Sequence, residues 1–276
     1  MDIFETVAQE AEKNAQPDNE YMGDDGLLHC SNCGEPVQAH VNFLGKDKIV
    51  RVMCSCREKQ YKEKEKEFEE KERQRTIDRY RRECFPNKEF EEYTFANDDA
   101  SDEKISNAMK KYVENWKQMK AENCGLLLYG DIGTGKSYYA ACIANALIDQ
   151  KIPVLMTSFA RIANTLQGMH EGRQEYIDSL NHYSLLILDD LGAERSSDYM
   201  LEQVFSVVDA RWQAGLPMIV TTNVPVEEMR NPKDLRYKRV YDRIISVCHP
   251  VRMVGKSRRK DGVADNYARR NKLLGL

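Results

Sequence analysis

"LLLYGDIGTGKSYYAACIANAL", Leu126 to Leu147, decides the fold. An aliphatic run of strand length meets a glycine-dense turn, and the turn runs into a stretch without glycine or proline that suits a helix. The turn realises G-x-x-x-x-G-K-[ST] as Gly130, Asp131, Ile132, Gly133, Thr134, Gly135, Lys136 and Ser137, with Tyr138 following. Glycines at 130, 133 and 135 let the backbone curl so that its N–H groups point inward at phosphate oxygens. A helix beginning near Lys136 adds the positive end of its dipole. Lys136 then reaches the β- and γ-phosphates of a nucleoside triphosphate, and Ser137 offers its hydroxyl to Mg2+. A glycine-rich turn that merely happens to precede Lys-Ser would not need a strand before it and a helix after it.

Four more apolar runs follow the same grammar: "IPVLMTS" (152–158), "SLLILDD" (184–190), "PMIVTTN" (217–223) and "ISVCHPVRM" (245–253). Helical stretches such as "DYMLEQVFSVVDARWQAG" (198–215) lie between them. This alternation predicts an α/β domain, a five-stranded parallel sheet covered by helices on both faces. The strand "SLLILDD" drives into paired negative charge. In phosphate-loop enzymes a strand beside the loop strand ends in an acid that holds the magnesium shell. Asp189 fits that role at a strand's C-terminal end, where open α/β sheets place their ligands. Asp190 is then the candidate base for the attacking water. The strand "MIVTTN" ends in Thr221, Thr222 and Asn223, which suits a γ-phosphate sensor; ordinary strand-end turn chemistry is the other reading. Downstream, Arg239, Arg243 and Arg259 are candidates for the positive charge that phosphoryl transfer requires, although surface-helix arginines are ordinarily solvated.

The 276 residues suffice for a large core or two domains, and no apolar run reaches the roughly 18 residues of a membrane span. The N-terminus "MDIFETVAQEAEKNAQ" is acidic and lacks the basic–apolar–small order of a signal peptide, so the chain reads as cytoplasmic, with no membrane partner. Net charge is −4, yet the stretch from Gly255, "GKSRRKDGVADNYARRNKLLGL", is basic. That asymmetry fits either nucleic-acid contact or a solvated tail.

Three regions separate by composition: 1–56, bearing a cysteine cluster; 57–84, a charge-dense helical linker; and 85–276, the α/β domain. The linker has strong helix formers but few apolar residues, so it reads as a solvated connector or a partner-facing helix. Cys30, Cys33, Cys54 and Cys56 give C-x2-C, about twenty residues, then C-x-C. Four thiolates in that pattern suit a closed, structural Zn2+ site, with His29 or His40 as a possible replacement for one of them. A segment so small could hardly fold without a metal.

Taken in order, "GDIGTGKS", "LLILDDLGAE", "IVTTN", "RVYDRI" and "GKSRR" resemble the AAA+ ATPases, and their combination resembles the bacterial and phage replicative helicase loaders of the DnaC/DnaI type, over about residues 85–260. The IstB-type transposition helpers are close relatives. The resemblance implies ATP/ADP and Mg2+ at Lys136, Ser137 and Asp189, with Lys136 and Ser137 as Walker A, Asp189 and Asp190 as Walker B, and Asp190 as the catalytic base. It makes Asn223 the sensor, Arg243 the arginine finger reaching a neighbouring subunit with Arg239 as understudy, and Arg259 a second sensor within the subunit. Such ATPases usually carry Glu where Asp190 stands, so hydrolysis here is expected to be slow or tuned by a partner. The family assembles with ATP, binds single-stranded DNA and places a replicative hexameric helicase on it. Its DnaI-type members carry an N-terminal zinc module that docks on the helicase. The long crossover Ser158–Tyr183 is similar to the helical insertion that steers single-stranded DNA, with Phe159, Arg161, Arg195, Ser197 and Tyr199 as candidate contacts. Two other functions remain open at this stage: a transposition helper acting on duplex DNA, and a nucleotide-gated scaffold with little hydrolysis.

Overall fold

Each of the five aliphatic runs contains a strand in the computed structural model, which describes residues 19–43, 45–99, 102–192, 198–255, 267 and 269–275; in the last run only Cys248–Met253 is strand, and residues 245–247 end the preceding helix. The chain divides into two units, 1–74 and 75–276.

In the second unit, β5 (Gly125–Gly130), β6 (Val154–Ser158), β7 (Leu185–Leu191), β8 (Met218–Thr222) and β9 (Cys248–Met253) form one sheet in the order β6-β7-β8-β5-β9, with every pairing parallel. Their side chains alternate between two cores. Leu126, Leu128, Leu185, Ile187 and Ile219 enter one, while Leu127, Leu186, Leu188, Met218 and Val220 enter the other. Burial on both faces explains why β5, β7 and β8 read as apolar runs, whereas the edge strand β9 exposes His249, Pro250 and Arg252. Helices α2 (Glu103–Glu114), α3 (Trp116–Ala121) and α4 (Lys136–Ile148) contribute to the first core. Helices α5 (Phe159–Gly168), α6 (Arg173–Ser179), α7 (Asp198–Gln213), α8 (Val226–Arg230) and α9 (Lys238–Val247) contribute to the second. The topology corrects one expectation: β8 lies between β5 and β7, so the acid-bearing strand is not the immediate neighbour of the loop strand.

Arg211 is fully buried on α7. Its guanidinium donates to the carbonyls of Tyr183 (2.8 Å), Ser184 (3.0 Å), Pro217 (2.9 Å) and Leu180 (3.3 Å). These acceptors lie on the segments entering β7 and β8, so one side chain ties both strand starts to the helix. Burial lowers its pKa to about 10, which leaves it charged at neutral pH. Arg211→Met should leave four buried carbonyls without their donor and cost about 3–4 kcal/mol, measured by urea unfolding. Lysine should recover only part of that loss, since one ammonium cannot fan out to four acceptors.

The first unit holds two antiparallel ribbons, β1 (Glu20–Met22) with β2 (Leu28–Cys30), and β3 (Gln38–Phe43) with β4 (Lys46–Arg51). Its buried core is Cys30, Val37 and Cys54. Helix α1 (Ser55–Cys84) covers the charge-dense stretch, and the division between the units falls within it. Among the described residues, no helix is long and apolar enough to cross a membrane.

Candidate nucleotide site and metal centre

The turn after β5 is shaped by close backbone approach. Gly130 adopts φ +144°, and a Cβ there would sit 2.1 Å from the Met253 carbonyl oxygen on β9, so no side chain fits. Gly135 caps α4 in the left-handed region, φ 93°, with no side chain competing for the first helical N–H groups. Thr134 closes the turn by donating to the Asp131 carbonyl at 2.9 Å. Asp131 and Ile132 are exposed at its tip, and Gly133 is half-buried.

Lys136, 7% exposed, is folded back into the loop. Its ammonium donates to the carbonyls of Gly130 (2.9 Å) and Asp131 (2.8 Å) and to Asn223 Oδ1 (2.7 Å). Ser137 donates to Asp189 Oδ1 at 2.8 Å. The tips of β5, β7 and β8 are thereby joined by side chains 52 and 87 residues apart in sequence. A serine hydroxyl beside a carboxylate is an all-oxygen donor set of the kind a hard divalent cation takes, so these two residues fit Mg2+. Tyr138 faces another way: its hydroxyl donates to the Thr94 carbonyl, and its ring packs against Tyr93.

Asp190 is exposed, with φ 63°, a conformation that aspartate tolerates better than most side chains. It sits in an irregularity where the β7–β8 register shifts between Leu188 and Leu191. Its N–H donates to Thr221 Oγ1 at 2.9 Å, and the same hydroxyl donates to Asp189 Oδ1 at 2.6 Å. Thr222 donates to the Leu191 carbonyl at 2.7 Å and accepts from the Val224 N–H at 3.0 Å. The sequence marks these threonines only as strand-end polar residues; what each hydroxyl bridges depends on the bulge opposite.

The arginines are dispersed. Arg243 is engaged within its own chain: its Nε donates to Asp209 Oδ1 at 2.9 Å, and its guanidinium lies 3.8 Å from the Trp212 ring centre. Arg239 is exposed on the same helix, α9. Arg259, Arg195 and Ser197 lie outside the described residues. The long crossover forms α5 and α6. Within it Phe159 is 1% exposed and belongs to the core, which removes it as a surface for stacking bases. The buried set Phe159, Ile162, Ala163 and Leu166 has the i, i+3, i+4, i+7 spacing of a core-facing stripe, a signal present in the sequence. Arg161 is exposed on that helix, whereas the Tyr199 hydroxyl is buried.

Cys30, Cys33, Cys54 and Cys56 converge, their sulfurs all within 4.8 Å of one another. Cys56 Sγ lies 3.5 Å from that of Cys30 and 3.4 Å from that of Cys54. A tetrahedron of Zn–S bonds of about 2.3 Å has edges of about 3.8 Å, so the cluster fits zinc with little adjustment. Backbone N–H groups of Asn32 and Cys33 hold the Cys30 thiol well below its usual range, which favours the ligating thiolate. His29 is not part of this cluster. Its Nδ1 bonds the Gly34 carbonyl at 2.9 Å and its Nε2 the Asp25 carboxylate at 3.0 Å; these two contacts, in that order, raise its pKa. His40 is exposed on β3 and is not part of the cluster. Glu35 accepts from the Ser55 N–H (2.6 Å) and hydroxyl (2.8 Å), fastening the start of α1 to the cysteine turn.

The family model described as IstB-like ATP binding protein matches residues 59–264, most of the chain, and the chain belongs to that family. It is 27% identical over 169 residues to the replicative helicase loader DnaI of Bacillus subtilis (strain 168), covering 56% of this chain and 52% of that protein. It is 28% identical over 142 residues to the replicative helicase loader DnaC of Escherichia coli (strain K12), covering 50% of this chain and 57% of that protein. The chain thus spans little more than half the length of these two curated relatives. Among solved structures, a crystal structure of DnaI matches with a TM-score of 0.54 at 24% identity, over 65% of this chain and 99% of that one. A crystal structure of the DnaC helicase loader matches with a TM-score of 0.52 at 19% identity, over 61% of this chain and 100% of that one. Both likenesses concern the fold alone, a five-stranded parallel sheet with helices on its two faces.

Proposed function

We propose that this member of the IstB-like ATP-binding family is an ATP-hydrolysing helicase loader, one that self-associates, binds single-stranded DNA and delivers a replicative hexameric helicase when replication begins. The enzymatic half is carried by one observation: Lys136, Ser137, Asp189 and Asn223 are linked by hydrogen bonds across three strand tips. The loader half is supported by the relatives named DnaI and DnaC.

ATP is the substrate. On this reading its phosphates lie along the backbone of residues 130–137, and Lys136 exchanges the carbonyls of Gly130 and Asp131 for the β- and γ-phosphates. Ser137 and Asp189 would hold Mg2+, which when bound would supply positive charge against that developing on the phosphates. Asp190 accepts the proton of the attacking water, whose oxygen displaces ADP from the γ-phosphorus. Asn223 orients that water. Arg243 supplies the arginine finger for a neighbouring copy, which requires it to leave Asp209.

The zinc unit is the proposed helicase-docking module. Its exposed apolar side chains Phe43, Ile49 and Met53 support a protein partner, each more than half exposed. The IstB designation favours a second reading, a transposition helper, which predicts duplex DNA and a transposase in place of single strands and a helicase.

Asp190→Asn tests the whole. Asparagine keeps the shape and tolerates φ 63°, so only the proton acceptor is lost. ATP turnover should fall at least about a hundredfold with nucleotide affinity retained. In parallel, the full chain should transfer its host's replicative helicase onto circular single-stranded DNA, and the variant should bind the helicase without completing its cycle. Undiminished transfer by the variant would favour the nucleotide-gated scaffold. Selective capture of a transposase and duplex DNA would favour the second reading.

A further inference from the structure

We infer that Thr221 is a positioning residue that sets both acids of the hydrolytic site. The inference rests on the ATP-hydrolysis reading above, and it adds a residue whose hydroxyl that reading did not use.

Thr221 is 1% exposed at the end of β8, the strand that separates the loop strand from the acid strand. Its hydroxyl has two partners with opposite demands. The Asp190 N–H can only donate and the Asp189 carboxylate can only accept, so the hydroxyl proton has one direction, toward Asp189. Asp189 Oδ1 consequently receives two hydroxyl donors, Thr221 from the neighbouring strand β8 and Ser137 from the first turn of α4 beyond it. That pair fixes the rotation of the carboxylate expected to hold the metal. The same oxygen satisfies the backbone N–H of Asp190 at the bulge, where the strand-to-strand register is interrupted. It therefore stabilises the left-handed turn that carries the Asp190 side chain out to the exposed face of the site. Thr222 closes the other end of the bulge through Leu191 and Val224, so the two hydroxyls together brace the strand tip on which Asn223 follows.

A threonine chosen only for strand propensity would be replaceable by valine, which has the same branched shape. Thr221→Val should instead lower kcat about 10- to 100-fold with KM for ATP nearly unchanged. It should also weaken Mn2+ binding, read by electron paramagnetic resonance with a non-hydrolysable ATP analogue, by about tenfold. Thr221→Ser, which keeps the hydroxyl, should restore both, with circular dichroism reporting that all three proteins are folded. Wild-type turnover and Mn2+ affinity in the valine variant would overturn the inference alone, as would a serine variant as impaired as valine. A wild-type chain that neither hydrolyses ATP nor binds Mn2+ with the analogue would overturn the nucleotide reading and this inference with it.

Discussion

Arg243→Ala is expected to lower ATP turnover about 10^3-fold or more while nucleotide affinity stays unchanged, the signature of an arginine finger. The geometry makes the experiment more than a deletion. In the single chain Arg243 is bonded to Asp209 and stacked on Trp212, whose ring is about one-third exposed. Asp209 is itself fixed by Gln213 Nε2 at 2.5 Å. If Arg243 serves a neighbouring copy, these contacts compete with assembly. Asp209→Asn should then preserve or raise turnover, since it weakens the hold on the arginine without touching the site. Equal losses in Asp209→Asn and Arg243→Ala would make the arginine a structural tie between α7 and α9. Mixing separates action within a chain from action between chains. Arg243→Ala retains an intact phosphate loop, and Lys136→Ala retains the arginine. Each should be inactive alone, and the mixture should recover a fraction of wild-type turnover. No recovery at concentrations where the wild type assembles would count against a finger acting between copies.

The strands and the phosphate loop were legible because their physics is local. A strand buried on both faces must be apolar at every position, and a backbone pressed against Met253 admits only glycine at 130. Strand order was not legible, since nothing within "MIVTTN" indicates that it inserts between the other two. Asp189 therefore meets Ser137 across the tip of a strand that the sequence places 29 residues later. Arg211 shows a different limit. It falls on the same α7 stripe as the buried Leu201, Val204 and Val208, yet a charged residue there reads as solvated until carbonyls from two other segments are seen around it. The candidate metal ligands were narrowed by structure alone: His29 is adjacent to Cys30 in sequence, but its ring is committed to Gly34 and Asp25.

Removing the metal proposed for the cysteine cluster should unfold residues 19–54 and leave the α/β domain intact. The reason is the size of the core. Cys30, Val37 and Cys54 are the buried residues of this cluster, and two of the three are themselves ligand candidates. The β3–β4 ribbon adds little, because nearly all its side chains are exposed, and an isolated ribbon is marginal in water. Structural zinc in small modules supplies about 10–16 kcal/mol of binding free energy, far more than three buried side chains can contribute. Treatment with a chelator, or the paired change Cys30→Ser with Cys54→Ser, should therefore collapse the amide NMR dispersion of residues 19–54. Resonances from β5 to β9 should stay where they are, and elemental analysis of the untreated chain should return one zinc per molecule. ATP binding should survive, whereas helicase capture should be lost, because the proposed docking side chains Phe43, Ile49 and Met53 would no longer be held on one scaffold. Unchanged dispersion after complete chelation would remove zinc from the account of this unit, and helicase capture that persists after unfolding would move the docking surface elsewhere in the chain.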